Sequence, residues 1–160
     1  MRIICNKKKM IYTIVDDCMF DLLKDKSIYM SFHKKYYADV MVDGKRVKLH
    51  RFILGLTDRK REVDHINGDS LDNRLSNLRE CTHADNCKNI GKRKDSTSPY
   101  KGVQYFKKSG LKRWRANISS NGKRYMLGLF SNPEDAARAY NEKSKEFHGV
   151  FSRQNIICKG

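Results

Sequence analysis

Within VDHINGDSLDNRLSNLRECTHADN, residues 63–86, four side chains stand in an order that suits hydrolysis of a phosphodiester: Asp64, His65, Asn77 and Asn86. That reaction needs a base to activate water, a cation to offset charge on the phosphate, and a group to stabilise the leaving 3′ oxygen. Asp64 offers a hard oxygen ligand. Its neighbour His65 titrates close to neutral pH, so the pair can hold Mg2+ and activate water side by side. For any one of these residues alone a plainer reading wins, a polar turn built from Asx hydrogen bonds with His65 a satisfied structural residue. Four of them in register with the DNRL and NLR elements favour chemistry. His50, in LHRF, suits packing or loop anchoring at least as well as catalysis. His83 reads as a solvated helix residue, with metal ligation or a phosphate contact as its alternative. Asp72 and Asn73 read as shaping the loop, and Asn67-Gly68 as a turn.

Local patterning supplies the elements that must position these groups. Residues 61–90 are rich in Asp, Asn and His and, their last turn apart, poor in helix formers, which predicts an ordered loop between short strands. Thr82 followed by Asp85 resembles a capping box, so a helix is expected from His83, with Asn86 and Asn89 on one side and its end near Gly91. Upstream, YYADVMV and KRVKLH flank Asp43-Gly44, a two-residue hairpin turn that tolerates positive φ. Asp16 or Asp17 is placed to cap a short helix through Met19, Phe20, Leu22 and Leu23. Downstream, GKRKDSTSP is a polar, mostly cationic linker able to track a phosphate backbone. In the last third Trp114, Ala116 and Ile118 alternate with Arg113, Arg115 and Asn117. Asn121-Gly122 then turns the chain into KRYMLGLF, with Tyr125 and Leu127 on the apolar face and Arg124 and Met126 on the outer one. A helix is expected from Pro133, with Glu134 and Asp135 at its positive end and Ala137, Tyr140 and Ser144 against the sheet.

Together these elements predict an α+β fold. An N-terminal hairpin and a core of short strands, loop and helix occupy residues 1–90, a basic linker 91–99, and a sheet packed on one helix 100–157. The 160 residues suit small modules rather than an elaborate multi-substrate pocket. Thirty-four Lys and Arg against 18 Asp and Glu give a formal charge of +16 and a pI near 9.8, which suits a polyanion. Residues 96–160 carry +9 of that charge, and no acidic residue interrupts them before Glu134. Double-stranded DNA is the expected partner. A membrane is not, because no stretch approaches the roughly 18 apolar residues a spanning helix needs. No signal peptide is expected either, since MRIICNKKKMIYTIVDD has charges on both sides of a very short apolar run, so the cytoplasm is the expected compartment. An RNA reader would need stacked, exposed aromatics, for which the sequence gives no clear sign. The five cysteines (Cys5, Cys18, Cys81, Cys87, Cys158) are scattered without a CxxC pair, which favours idle thiols over disulfides or zinc.

From DHxxG through NLR to the helical asparagine, roughly residues 36–90 resemble the HNH homing endonucleases, in particular the phage intron-encoded group whose motif ends in asparagine. The resemblance implies a ββα-metal unit with Asp64 as metal ligand, His65 as general base, Asn77 holding the loop and orienting the histidine, and Asn86 as the second metal ligand. A neutral amide in place of a third-position histidine implies Mg2+ or Mn2+ rather than zinc. The activity implied is that of a metal-dependent, homing-type DNA endonuclease, a phage protein of the bacterial host cytoplasm, nicking as a monomer or cleaving both strands as a homodimer. A non-catalytic DNA-binding regulator that keeps an HNH scaffold is the alternative. Residues 100–155 resemble the ethylene-response-factor (Apetala-type) DNA-binding domain through YKGV, WRANI, LGLF, AARAYNEKS and GVFSRQN. That resemblance implies a three-stranded antiparallel sheet, backed by one helix, in the major groove with Lys101, Gln104, Arg113, Arg115, Asn117 and Arg124 facing DNA, and Met126 beside them. Lys101 and Gln104 stand where arginine is usual, so the plant proteins' sequence preference does not carry over.

Overall fold

The computed structural model describes residues 2–6, 11–108 and 111–157, with the side chains of 2–6, 108, 111 and 112 excepted. Cys158 and the side chain of Cys5, weighed above, lie outside the described residues. The chain divides into two compact units, Met1–Asn86 and Cys87–Gly160.

In the first unit β1 (Arg2–Asn6) pairs antiparallel with β2 (Ile11–Val15), and α1 (Asp17–Leu23) follows. Next come β3 (Ile28–His33), β4 (Lys35–Val42) and β5 (Lys45–Lys48), an antiparallel sheet with β4 at its centre, then α2 (Leu49–Ile53). β6 (Glu62–His65), a loop ending in a 3-10 turn (Leu75–Asn77) and β7 (Leu78–Cys81) complete it, and the division between the units falls within α3 (His83–Asn89). The predicted turn at Asp43-Gly44 joins β4 to β5, with φ of 47° and 73° as a type I′ turn requires. The core is Val15, Leu23, Ala38, Val40 and Leu49, against which Met19, Phe20, Met30 and Phe52 pack. Leu22 on α1 is 53 % exposed. A seven-residue helix on a small sheet buries a narrow stripe, and Met19, Phe20 and Leu23 fill it. Asp16 occupies the N-cap position but does not cap its own helix; its carboxylate accepts from the Leu75 amide at 2.7 Å.

The second unit holds β8 (Val103–Lys108), β9 (Leu111–Ser120) and β10 (Lys123–Phe130), antiparallel with β9 central, then α4 (Pro133–His148) and a 3-10 turn (Gly149–Phe151). Asn132 caps α4 by accepting from the Asp135 amide at 2.8 Å. Ala136, Ala137, Tyr140 and Ser144 are its buried stripe, packed against Val103 and Ala116 of the sheet. A bulge between Met126 and Gly128, which no local pattern announced, shifts the β10 register, so that Leu129 comes opposite Arg115. The chain thus adopts the α+β arrangement expected of it. Among the described residues no helix is long and apolar enough to cross a membrane.

Gly102 marks the tightest packing of this unit. Its φ is +76°, and a Cβ there would lie 2.1 Å from the Tyr140 ring and 2.7 Å from the Asn117 carbonyl oxygen. Gly44 shares the positive φ but has open space around it. Gly102→Ala is therefore expected to lose about 3 kcal/mol of stability or more, from strain plus overpacking, against about 1 kcal/mol for Gly44→Ala, from strain alone. Urea unfolding of the two variants checks the difference.

Candidate active site

β6 and β7 pair antiparallel with Glu62 opposite Cys81, Asp64 opposite Arg79 and His65 opposite Leu78, and α3 begins two residues after β7. The predicted capping box forms: Thr82 Oγ1 accepts from the Asp85 amide at 3.1 Å and donates to Asp85 Oδ2 at 2.7 Å. Alternation along β6 sends Glu62 and Asp64 to one face and Val63 and His65 to the other.

On the first face Asp64, 4 % exposed, accepts at Oδ2 from Arg79 Nε (2.8 Å) and Nη2 (2.5 Å), its cross-strand neighbour. Two residues back, Glu62 takes the Asn86 amide nitrogen at Oε2 (2.7 Å) and His83 Nδ1 at Oε1 (2.8 Å), one turn apart on α3. Hydrogen bonding by Asn86 and, less, by His83 holds the Glu62 carboxyl below the usual range against the opposing effect of burial. Because Asn86 spends its nitrogen on Glu62, its carbonyl oxygen is the edge left to act as a ligand.

On the second face a relay fixes the imidazole. Thr13 Oγ1 donates to the Leu71 carbonyl at 2.8 Å, so the same oxygen must accept from Asn73 Nδ2 at 2.7 Å. That turns Asn73 Oδ1 toward His65 Nε2, 3.2 Å away, and an amide oxygen can only accept. His65 therefore carries its proton on Nε2 and its lone pair on Nδ1. The His50 ring meets the His65 ring edge-on at 5.1 Å, and Tyr37 packs near both, at 5.9 Å and 6.5 Å. Burial lowers the pKa of His65, opposed by the Asn73 hydrogen bond and by the charges of Asp64, Asp69 and Asp72. Burial, aided by the like charges of His65, Lys48 and Arg51, takes His50 down to about 3. His50 is thus a neutral wall to the imidazole.

Asn77 spans the loop between the strands. Its Oδ1 accepts from the Asn67 amide at 3.0 Å, while Nδ2 donates to the Asp72 carbonyl at 2.7 Å and to Asn67 Oδ1 at 3.1 Å. The amide at the imidazole belongs instead to Asn73, whose backbone β2 clamps in turn: Ile14 N donates to Leu71 O at 2.9 Å and Asn73 N to Ile14 O at 2.8 Å. Sequence reasoning passed over Glu62, Arg79 and Tyr37. Strand alternation from Asp64 was a signal for Glu62, whereas Arg79 and Tyr37 depend on register and tertiary packing.

Among the described residues no three His, Cys, Asp or Glu side chains cluster closely enough to hold a metal ion. The oxygen donors on the Asp64 face are the carboxylates of Asp64 and Glu62 and the amide oxygen of Asn86. So sparse an all-oxygen set fits Mg2+ or Mn2+, which keep several waters, and not a closed tetrahedral zinc site.

In the second unit Gln104 Oε1 accepts from Arg115 Nη2 (3.2 Å) and Arg124 Nη2 (3.4 Å), and the Arg115 guanidinium lies 5.1 Å from the centre of the Phe106 ring. Arg113, Asn117 and Met126 share that face by alternation and register. Two donors on it, Arg115 Nε and Asn117 Nδ2, are buried without a protein partner among the described residues. Lys101 is not with them: half-buried, it donates to the Lys88 carbonyl at 2.5 Å, and burial with the nearby Arg153 charge lowers its pKa to about 8.

The arrangement of strand, polar loop, strand and capped helix meets its counterpart in known proteins. Residues 55–88 match the model of the HNH endonuclease family. An uncharacterized HNH endonuclease of Acanthamoeba polyphaga mimivirus is 32 % identical over 142 residues, covering 83 % of this chain and 72 % of its own. Protein 3.8 of Escherichia phage T7 is 32 % identical over 91 residues, covering 57 % of this chain and 73 % of its own. No solved structure matches. With that likeness running well beyond the motif along both chains, this protein belongs to the HNH endonuclease family.

Proposed function

We propose that this chain is a metal-dependent, homing-type endonuclease that hydrolyses a phosphodiester of duplex DNA. The observation that carries the reading is the relay through Thr13 and Asn73, which puts the His65 proton on Nε2 and the lone pair on Nδ1, while burial favours the neutral ring. His65 Nδ1 takes a proton from water, the water oxygen bonds to phosphorus in line, and the bond to the 3′ oxygen breaks with its electron pair on that oxygen, which takes a proton from solvent, giving a 5′-phosphate and a 3′-hydroxyl. Asp64 and the Asn86 carbonyl oxygen would hold Mg2+ or Mn2+, which supplies positive charge for the phosphate and the leaving oxygen. Glu62 keeps the Asn86 oxygen presented, and Asn77 keeps the loop closed.

Residues 1–90 act as the nuclease module and 100–157 as a DNA-reading module of the ethylene-response-factor type, joined by the basic stretch 91–99. The outer sheet face with Gln104, Arg113, Arg115, Asn117 and Arg124 supports the second part. Arginine donors suit base edges and phosphates. The likeness to a phage protein supports a place in the bacterial host cytoplasm.

Supercoiled plasmid incubated with the full chain tests this. Open-circle product is expected with Mg2+ or Mn2+ and none with EDTA; linear product formed at the same rate would mark paired active sites. No cleavage with any divalent ion would leave the regulator reading in its place.

A further inference from the structure

The tip of the β3–β4 hairpin takes no part in the chemistry above, yet its composition is unusual for a surface. Phe32 and Tyr36 are direct cross-strand partners, 64 % and 39 % exposed, with ring centroids 5.0 Å apart. Beyond them stand only His33, Lys34 and Lys35, all exposed. Lys34 alone closes the reversal, in the left-handed region at φ 58°, a strained conformation for a side chain of its size and one found preferentially at functional sites.

The tip is also fixed in place. Its legs run into the core through Ala38 and Val40. The Tyr36 carbonyl accepts from Ser70 Oγ at 2.6 Å, and Lys35 Nζ donates to the Gly68 carbonyl at 3.1 Å. Ser70 and Gly68 belong to the loop that leaves β6 directly after His65. A rigid aromatic pair rimmed by cations is thereby tied to the segment that carries the candidate base. Its charge selects an anionic partner, and its two rings match a partner that offers flat apolar surfaces between rows of phosphates.

We propose that Phe32 and Tyr36 form a wedge that enters between base pairs of duplex DNA beside the scissile phosphate, with Lys34 on the flanking backbone. The inference rests on the reading of this family member as acting on DNA. Apolar side chains driven between base steps unstack and unwind them and kink the duplex, which exposes the backbone at the kink. Anchored by Ser70 and Gly68, the wedge would set the distance from the kink to His65.

Unwinding is measurable without knowing the target sequence. The full chain carrying His65→Ala, and the same chain with Phe32→Ala and Tyr36→Ala added, are bound in EDTA at matched occupancy to closed circular plasmid. A metal-independent type I topoisomerase then relaxes the plasmid, protein is removed, and topoisomers are resolved on a gel. The parent is expected to lower the linking number in proportion to bound protein, and the variant to lose this by about fivefold or more. Phe32→Leu, which keeps an apolar wedge, should retain most of it. A variant that melts with its parent and shifts the linking number equally would overturn the proposal. So would an unchanged linking number with lost binding to anionic lipid vesicles, which would make the tip a membrane finger. Unwinding without plasmid cleavage by the unmutated chain would sink the hydrolytic reading and leave the wedge standing.

Discussion

Full-length protein carrying His65→Ala is expected to cut supercoiled plasmid about 10²–10⁴ times more slowly than the unmutated chain, the range a positioned general base contributes. The loss should lie in the chemical step, because the imidazole is buried behind Asn73, His50 and Tyr37 and offers little surface for binding DNA. Added imidazole should restore part of the rate, since the substitution opens a space of its shape beside His50. Asn73 separates a base from a structural histidine. In Asn73→Leu the Nε2 proton loses its acceptor, both tautomers become accessible, and the rate should fall by about tenfold or more. In Asn73→Asp a carboxylate still accepts from Nε2, so the lone pair stays on Nδ1 and most of the rate should remain. Equal losses in the two variants, or full activity in His65→Ala, would remove His65 from the role of base. Single-turnover cleavage at saturating protein gives these rates free of binding effects.

How far the site could be read from the sequence depends on the range of the contacts that build it. The helix cap at Thr82 and Asp85, the turn at Asp43-Gly44 and the alternation through Trp114, Ala116 and Ile118 are interactions within a few residues, and local patterning found each of them. The relay to His65 is different. Asn73 sits in the motif and reads as a loop shaper, but it gains its partner from Thr13, sixty residues away on a strand pinned to the loop by backbone hydrogen bonds. No periodicity announces such a contact, because backbone groups pair with any residue type. The β10 bulge escaped for a similar reason: it shifts register without changing composition, and it brings Leu129 opposite Arg115 on the sheet's outer face. The exposed Phe32–Tyr36 pair was hidden by its setting, since aromatics in a strand-rich segment read as core until a hairpin places them at its tip.

Asp64 presents the sharpest conflict between structure and chemistry, and a pair of substitutions resolves it. The carboxylate is buried and doubly hydrogen-bonded to Arg79, so a purely structural ion pair would account for its presence. If that were its only duty, Asp64→Ala and Arg79→Met would be equivalent, each breaking the same ion pair at a penalty of about 3–5 kcal/mol and each lowering activity to the same degree. The proposed ligand role predicts the opposite. Asp64→Ala should lose cleavage by about 10³-fold or more, because several kcal/mol of charge stabilisation at the phosphate goes with the ion. Arg79→Met keeps the carboxylate and removes the guanidinium that competes with an ion for it, so cleavage should persist and bind Mn2+ at least as tightly. Stability gives a second readout independent of turnover. Loss of the Arg79 ion pair leaves the buried Asp64 carboxylate less compensated and destabilises Arg79→Met in EDTA, and millimolar Mn2+ should raise its melting temperature, since an ion bound only by the folded state stabilises that state by mass action. Asp64→Ala has lost the carboxylate that would hold the ion, and its melting temperature should not respond. A Mn2+ response in both variants, or in neither, would reduce Asp64 to a partner of Arg79 and move the metal elsewhere.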